Sequence, residues 1–517
     1  LARLDRDSCL TFQAGTRLNV PASQQSYISA NYTHAARYLL DQGFNVLGQL
    51  VARRGQGARA RYSLSCNTDI TLDLLAARKA GRADFLMVGQ VSDELPFMPG
   101  DGDLAAPVFS HVLDGAAVQF PLFAPPKEPV AAAHYAMGFR VAGLVPDGGT
   151  LQIGIGSTGD AIAQALIVRH RDNAAFRETL DRLAPQRAPV RHLEPFATGL
   201  YACTEMFVDC LLPLIEAGVV KRKVDGALLH GGFFVGPKSF YAALRDMPPA
   251  ALAKLQMKPI SFINELYGGE PEKRAARVGA RFVNNAMMAT LLGAVVSDGL
   301  EDGRVVSGVG GQYNFVAQAF ALEDARSIIT LAATRGQGRK ASSNVRWTYG
   351  HETIPRHLRD MVVTEYGIAD LRGRTDQAVV AAMLSVTDSR FQGELLRQAK
   401  AAGKVKAAYE IPAAFRNNTP EAVARALQPA KDAGLTPAFP FGTDFDAVEL
   451  SLLPALERMQ AAQPGDLAKL LLQGLGARPS LAAAAGLRRM GLAEPRSLKD
   501  RLYAALLSGA YAAGPAA

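Results

Sequence analysis

The sequence is poor in cysteine and tryptophan and has no long apolar segment. Its 517 residues include four cysteines, at Cys9, Cys66, Cys203 and Cys210, and one tryptophan. So few and scattered cysteines do not make a disulfide framework, and the spacing of the last two lacks the second pair of a zinc site. No apolar run approaches the roughly 20 residues that span a bilayer. We therefore expect a cytoplasmic protein with reduced thiols, no metal and no membrane segment.

Charge is not concentrated in any one part of the chain. The net charge is +8, but lysine and arginine are spread along the sequence, without the basic face and interleaved aromatics of a nucleic-acid binder. We expect no nucleic-acid partner, whereas a phosphorylated, anionic substrate is compatible with this charge. The length exceeds what one ordinary core accommodates, so two or more domains are expected.

Glycine is abundant, and it recurs directly after apolar strand-like segments. Residues 305–307 precede Gly308, Gly310 and Gly311, which lead into an apolar helix. A strand that stops at glycines before a helix exposes backbone N–H groups where the helix dipole is positive. Such a loop binds an anion or stabilises an oxyanion during acyl transfer.

A second glycine-rich loop has the form G-x-G-x-x-G. Leu151 and Ile153 alternate as in a strand before Gly154 and Gly156, and a helix follows. A dinucleotide-binding fold needs a second strand ending in an acid about 20 residues further on. Residues 171–187 are polar and helical instead, which disfavours a nicotinamide site and leaves a phosphate- or acyl-binding loop.

Strands that alternate with helices through glycine turns predict an α/β fold. The segments at 228–230, 327–332 and 361–364 continue this pattern. We expect two α/β domains, 1–210 and 211–435, each with a largely parallel sheet, followed by a helical appendage at 436–517. Ligands of such sheets bind beyond the carboxyl ends of the strands, where these glycine turns lie.

Two motifs, SGVGGQYNFVAQAF (307–320) and VVTEYGIADLRGR (362–374), resemble the acetyl-CoA hydrolase/CoA-transferase family. GGTLQIGIGSTGDAIAQAL (148–166) and CTEMFVD (203–209) extend the resemblance, which covers roughly residues 60–430. It implies two related open α/β domains across a cleft, a homodimer, and coenzyme A or acyl-CoA as substrate, with no permanently bound cofactor. It further implies a glutamate that attacks the acyl-CoA thioester, with the oxyanion on the GVGG loop.

The position of that family glutamate falls on Met288, whose thioether cannot form an acyl intermediate. Three explanations follow. Another carboxylate has taken over, with Glu205 and Glu265 as the candidates. Alternatively, a carboxylate or histidine activates water for direct hydrolysis. In the third case, the protein binds acyl-CoA without turnover and has lost its nucleophile.

The expected site can be stated residue by residue. For catalysis we predict Glu205, Glu265, Gly308, Gly310 and Gly311; for CoA binding we predict Gly154, Gly156, Ser157, Thr158 and Gln312. For Glu205 the alternative is local capping, and for Glu265 it is pairing with Lys273 or Arg274.

Several polar residues outside these motifs have both a functional and a structural interpretation. Glu365 either faces the cleft or anchors its turn. His230 is a general base or a buried histidine. Near His351 and His357, Arg356 and Arg359 either meet CoA phosphates or form surface ion pairs.

Overall fold

A computed structural model describes residues 24–122, 127–183, 192–336, 338–462, 464–476 and 479–513. Contacts divide the chain into a larger unit, which contains the described residues up to Gly336 and from Ala341 to Gly442, and a second compact unit. The second unit contains residues 338–340 and the described residues from Thr443 onward. Within the described residues, no helix is both long and apolar enough to cross a membrane.

The centre of the larger unit is an eight-stranded sheet in the order β18-β17-β13-β10-β6-β7-β8-β9. All neighbouring strands are parallel except the edge strand β18, which runs antiparallel to β17. The strands are β6 (Thr150–Gln152), β7 (Tyr201–Phe207), β8 (Leu229–Phe234), β9 (Leu255–Met257), β10 (Arg281–Asn285), β13 (Arg326–Thr330), β17 (Met361–Thr364) and β18 (Gly367–Asp370).

Three smaller sheets accompany it. A five-stranded sheet has the order β4-β2-β1-β3-β5, and two short sheets have the orders β12-β11-β16 and β14-β15. Their strands are β1 (Val46–Arg54), β2 (Arg61–Ser63), β3 (Leu86–Val91), β4 (Asp103–Ala105), β5 (His111–Leu113), β11 (Met288–Thr290), β12 (Val295–Val296), β14 (Thr334–Arg335), β15 (Ser342–Ser343) and β16 (Val345–Arg346).

The helices of the larger unit connect and cover these strands. They are α1 (Ala35–Asp41), α2 (Asp69–Lys79), α3 (Ala132–Ala142), α4 (Ser157–Arg171), α5 (Asn173–Leu183), α6 (Leu211–Glu216), α7 (Lys238–Arg245), α8 (Pro249–Leu252), α9 (Ile260–Asn264), α10 (Glu270–Ala276), α11 (Gln312–Ala321), α12 (Asp376–Ser385), α13 (Ser389–Ala401) and α14 (Pro420–Asp432). The second unit contains α15 (Ala447–Ala461), α16 (Pro464–Gly476), α17 (Leu481–Arg489) and α18 (Leu498–Ala512).

The main core lies between the large sheet and the helices on its surface. Leu151 and Phe207 from the strands pack in one cluster with Phe139 and Leu166 from α3 and α4, and all four side chains are buried. Strands buried by helices read as continuous apolar segments, because both of their faces are covered. This packing holds the carboxyl ends of the strands in fixed register.

The predicted α/β class with largely parallel sheets is confirmed, and the described part of residues 436–517 beyond 446 is helical. The predicted strand at 305–307 is wrong: Val305 forms only an isolated bridge with Gly299, because the glycines that follow leave too few residues for a ladder. β7 and β8, which flank residue 210, are neighbours in one sheet. As units of the family, the divisions 1–210, 211–435 and 436–517 stay predictions.

The cysteines behave as expected where the structure describes them. Cys66, Cys203 and Cys210 are buried free thiols, and Cys9 lies outside the described residues. In the described part of the chain, no group of histidine, cysteine and acidic residues is arranged to hold a metal ion.

Candidate active site

The predicted motifs lie at the carboxyl ends of the parallel strands. β6 ends just before Gly154, β7 carries Glu205, and β17 ends just before Glu365. The Thr204 hydroxyl donates to the carbonyl of Ile153 over 3.4 Å, which fixes the ends of β6 and β7 side by side. Distant parts of the sequence therefore meet at the sheet edge where parallel α/β folds bind ligands.

The carboxyl group of Glu205 lies directly against the GVGG loop. The backbone N–H of Gly311 donates to it, and the side-chain amide of Asn264 donates to its Oε2 over 2.6 Å. Burial, reinforced by the nearby charge of Asp69, raises the pKa of Glu205 to about 7 despite these two hydrogen bonds. A carboxyl with this pKa changes protonation state near neutral pH, which suits an acid or base in catalysis.

The contact explains why the loop contains glycine. A Cβ atom on Gly311 would lie 1.8 Å from Glu205 Oε2 and 2.2 Å from Asn264 Nδ2, so no larger residue fits there. Gly310 adopts a φ of 58°, a conformation that favours glycine, and its carbonyl accepts the N–H of Tyr32 over 3.0 Å. Gly308 opens the loop, and its carbonyl accepts the Ser307 hydroxyl over 3.3 Å.

Helix α11 begins immediately after this loop, so its positive end faces the Glu205 carboxyl group. Gln312, its first residue, is buried and donates its side-chain amide to the carbonyl of Asn285 over 3.0 Å. Within the described residues, the Oε1 atom of Gln312 has no hydrogen-bond partner. Gln312 thus ties the loop to the end of β10, and its CoA-binding role stays a prediction.

Met288 is sealed inside the protein. Its side chain is 1% exposed on β11, which pairs with β12 through Val296. Its sulfur lies 3.4 Å from a guanidinium nitrogen of Arg335. No carboxylate replaces the expected nucleophile at this position, and a cation lies beside the thioether.

Glu265 is the second carboxylate that the sequence suggested for catalysis. It follows Asn264 at the end of α9, and its backbone carbonyl accepts from Lys273 over 3.0 Å and from Arg277 over 3.2 Å. Arg274 pairs with Glu270 instead, at 2.6 Å. The carboxyl bonded to the GVGG loop is therefore that of Glu205, while a catalytic role for Glu265 stays a prediction.

The second glycine loop forms the wall of a separate cavity of about 270 Å³. Gly154, Gly156 and Ser157 line it, and Lys127 lies there, 3.0 Å from an Asp160 oxygen and 2.7 Å from Asp209. Helix α4 starts at Ser157 and Thr158 after Gly156, whose φ is 91°. The helix dipole and Lys127 supply positive potential, but the two aspartates offset it, so this cavity does not by itself define a phosphate site.

The same loop does not lead into a dinucleotide fold. Helix α5 follows α4, and the next strand of the sheet is β7, which begins only at Tyr201. Among the described residues between this loop and β7, no strand ends in an acid about 20 residues after the glycines, as that fingerprint requires.

For most of the other polar residues, the contacts favour the structural interpretation over the functional one. His230 is buried between Tyr201, whose hydroxyl lies 2.6 Å from Nδ1, and Gln256, and burial lowers its pKa to about 4. Glu365 anchors its turn by accepting the N–H of Ala333 over 2.9 Å, and burial raises its pKa to about 7. Arg359 pairs with Asp376 at 3.2 Å.

Sequence reasoning missed three residues around Glu205. Asn264 donates to its carboxyl from 59 positions away. Tyr32 binds the loop through its backbone, and its hydroxyl bonds to Asp69, whose pKa is raised by burial. None of them lies in a motif, and only the tertiary fold brings them to the loop.

Comparisons with known proteins show what the chain is similar to. Residues 236–399 match the acetyl-CoA hydrolase/transferase C-terminal domain, so this part of the chain is similar to the acetyl-CoA hydrolase/CoA-transferase family. The chain is 25% identical over 331 residues to the 4-hydroxybutyrate coenzyme A transferase of Clostridium kluyveri, covering 62% of this chain and 66% of that one.

Other relatives agree with this similarity. The butyryl-CoA:acetate CoA-transferase of Anaerostipes caccae is 24% identical over 271 residues, which are 50% of this chain and 51% of the relative. The match thus spans about half the length of that relative. RipA from Yersinia pestis has a TM-score of 0.59 at 22% identity, covering 74% of this chain and 76% of its own. A 4-hydroxybutyrate CoA-transferase from Porphyromonas gingivalis, at 20% identity, has a TM-score of 0.54 over 74% of this chain and 83% of its own, so both confirm the fold.

Proposed function

We propose that this protein handles acyl-CoA, by transferring CoA between a short-chain acyl-CoA and a carboxylic acid or by hydrolysing the thioester. The observation that carries the proposal is the contact between the Glu205 carboxyl and the Gly311 N–H at the start of α11. A carboxyl whose pKa lies near 7 and a glycine loop at a helix N-terminus are the parts that acyl transfer requires. CoA, as thioester or free thiol, is the substrate, and no resident cofactor takes part.

The role of Glu205 follows from its position. In CoA transfer its carboxylate attacks the thioester carbonyl, and the developing oxyanion takes hydrogen bonds from the loop. In hydrolysis it fixes the loop while water attacks. Both routes bypass Met288, which is buried and bears no nucleophile.

A mixture of acetyl-CoA with a series of short-chain acids tests the proposal, with free thiol and exchanged acyl-CoA followed together. Thiol release without acid indicates hydrolysis, and a new acyl-CoA with each acid indicates transfer. In Glu205→Gln the side-chain oxygen still accepts the Gly311 N–H, so a fall of about 100-fold or more in the rate of CoA transfer reports the attacking carboxylate itself. Glu178→Gln, at an exposed residue paired with Arg182, is the control and is expected to change the rate by less than about 3-fold.

The buried Met288 favours a second candidate, an acyl-CoA-binding protein without turnover. In that case acetyl-CoA raises the melting temperature, as binding to the native state requires, while no thiol is released. Turnover of any acyl-CoA by the wild type excludes it.

The proposal includes two features that rest on composition and on the family. The protein is proposed to act in the cytoplasm and as a homodimer. Size-exclusion chromatography with light scattering tests the second, because a 55.0 kDa chain and its dimer separate clearly.

A further inference from the structure

A cavity of about 300 Å³ lies beside the GVGG loop and has no part in the roles assigned above. Val309 and Tyr313 of the GVGGQY segment line it, together with His351 and Asp298. The N-terminal segment closes another side through Asn31. The cavity therefore borders the same loop that the proposed function uses as its oxyanion platform, and its volume exceeds what a water molecule needs.

His351 and Asp298 form a hydrogen-bonded pair in this cavity. Nε2 of His351 lies 2.9 Å from Oδ1 of Asp298, and the Thr353 hydroxyl donates to the same oxygen. A carboxylate can only accept, so Nε2 carries the proton and Nδ1 keeps a free lone pair. This arrangement fixes the tautomer of a histidine whose second nitrogen can take a proton.

The backbone connects the pair rigidly to the platform. The carbonyl of Asp298 accepts the N–H of Val306 over 2.8 Å and that of Ser307 over 3.1 Å, immediately before Gly308. A Cβ on Gly299 would lie 2.8 Å from the His351 ring, so the ring rests directly on the backbone there. The imidazole is thereby held against the backbone segment that enters the loop.

Few charged groups surround the imidazole. Asp298 is bonded to it, and Glu352 and His34 line the same cavity. Glu301 lies near the preceding residue and accepts the N–H of Gly350 over 2.9 Å. In the described residues, Asp298 is the one carboxylate in hydrogen-bond contact with the ring, so the pair is a defined unit.

We propose that His351 is the general base that activates water for hydrolysis of the acyl-CoA thioester, with Asp298 as its positioning residue; this rests on the proposed function. Nδ1 of His351 removes a proton from water as the water oxygen bonds to the thioester carbon. The carbonyl electron pair moves to oxygen, and the GVGG backbone N–H groups stabilise the oxyanion. Collapse breaks the C–S bond, the imidazolium proton passes to the CoA thiolate, and the products are a carboxylic acid and CoA.

This assignment fits the altered position 288. With Met288 in place of a carboxylate, no covalent intermediate forms there, and the thioester needs another nucleophile. General base catalysis typically raises the reaction rate by about 10²–10⁴-fold, and we expect this contribution from His351.

The test compares His351→Ala and His351→Gln with His357→Ala, a matched change at an exposed histidine. Thiol release from acetyl-CoA without acid is expected to fall about 10²–10⁴-fold in both His351 variants and to stay within about 2-fold in the control. Added imidazole is expected to restore activity to His351→Ala only. Asp298→Asn is expected to lower kcat with little change in KM.

The outcomes separate the two proposals. Wild-type hydrolysis that His351→Ala retains overturns the base and leaves the proposed function intact. Wild-type transfer to acids without any hydrolysis also overturns the base alone. No turnover of any acyl-CoA by the wild type overturns the proposed function and the base with it.

Discussion

Two neighbouring segments of this chain, 284–293 and 307–320, have opposite relations to the family chemistry. In the second, the glycine loop meets a carboxyl at a helix N-terminus, and only glycine fits at Gly311. In the first, Met288 occupies the position of the expected glutamate nucleophile, and its side chain is buried beside Arg335. The difference teaches that the geometry of the glycine loop does not depend on position 288, because the loop is fixed by contacts with Glu205 and Asn264.

The largest effect on turnover is expected from adding a side-chain atom at Gly311, where the loop contacts Glu205. In Gly311→Ala the new methyl group would overlap Glu205 Oε2 and Asn264 Nδ2, so acyl-CoA turnover should fall about 10²–10³-fold. Overpacking should also lower the free energy of unfolding by about 1–3 kcal/mol. Turnover assays and urea denaturation measure the two effects.

The control is Gly393→Ala in helix α13, where an added Cβ meets no atom within 4 Å. This change should stabilise the protein by about 0.5–1 kcal/mol and leave turnover unchanged. Equal losses in both variants would mean that Gly311 has no special contact with the site.

Restoring a carboxylate at position 288 is expected to give no gain of function, because the side chain there is buried. In Met288→Glu the new side chain lies beside Arg335, whose charge compensates for part of its burial. Attack of this carboxylate on acetyl-CoA would give a glutamyl-CoA thioester, which borohydride reduces to a primary alcohol with release of CoA. Peptide mapping should find residue 288 unreduced in Met288→Glu, as in Met288→Gln, and a reduced residue in Met288→Glu alone would contradict the expectation.

A smaller effect concerns the dependence of stability on pH. Burial raises the pKa of Glu205 and of Glu365 from 4.5 to about 7. Their contribution to stability is therefore fully present below about pH 4.5 and is lost as the pH rises through 7, because the unfolded chain releases these protons first. The melting temperature should decline over this window, less steeply in Glu205→Gln and in Glu365→Gln.

Glu178→Gln serves as the comparison, because Glu178 belongs to an exposed pair with Arg182. Its melting profile should follow the wild type across the whole range. Parallel melting profiles of the wild type, Glu205→Gln and Glu365→Gln between pH 5 and 7 would show that neither carboxyl has the environment described above.

The sequence predicted the fold class and the loops because both depend on local patterns. The apolar strand before Gly154, and the helices that follow Gly154 and Gly311, are patterns that can be seen without knowledge of the tertiary structure. The partners of Glu205 could not be predicted in this way. Asn264, Asp69 and Tyr32 reach it through the tertiary fold, and no spacing rule connects them.

The burial of Met288 and the pairing of His351 with Asp298 were likewise beyond the sequence. Methionine occurs both in clefts and in cores, so the sequence does not show where Met288 lies. The packing of β11 places it in the core. The sequence at 305–307 predicts a strand, but in the structure the N–H groups of Val306 and Ser307 donate to the carbonyl of Asp298 and hold it at the loop.

The central claim, that CoA transfer depends on the Glu205 carboxyl and not on position 288, is tested most directly by one rate comparison. CoA transfer from acetyl-CoA to an acceptor acid is measured in parallel for the wild type, Glu205→Gln and Met288→Leu. Leucine conserves the buried volume, so Met288→Leu should stay within about 3-fold of the wild type, while Glu205→Gln should lose about 100-fold or more. Full activity in Glu205→Gln, or loss of activity in Met288→Leu with an unchanged melting temperature, would contradict the claim.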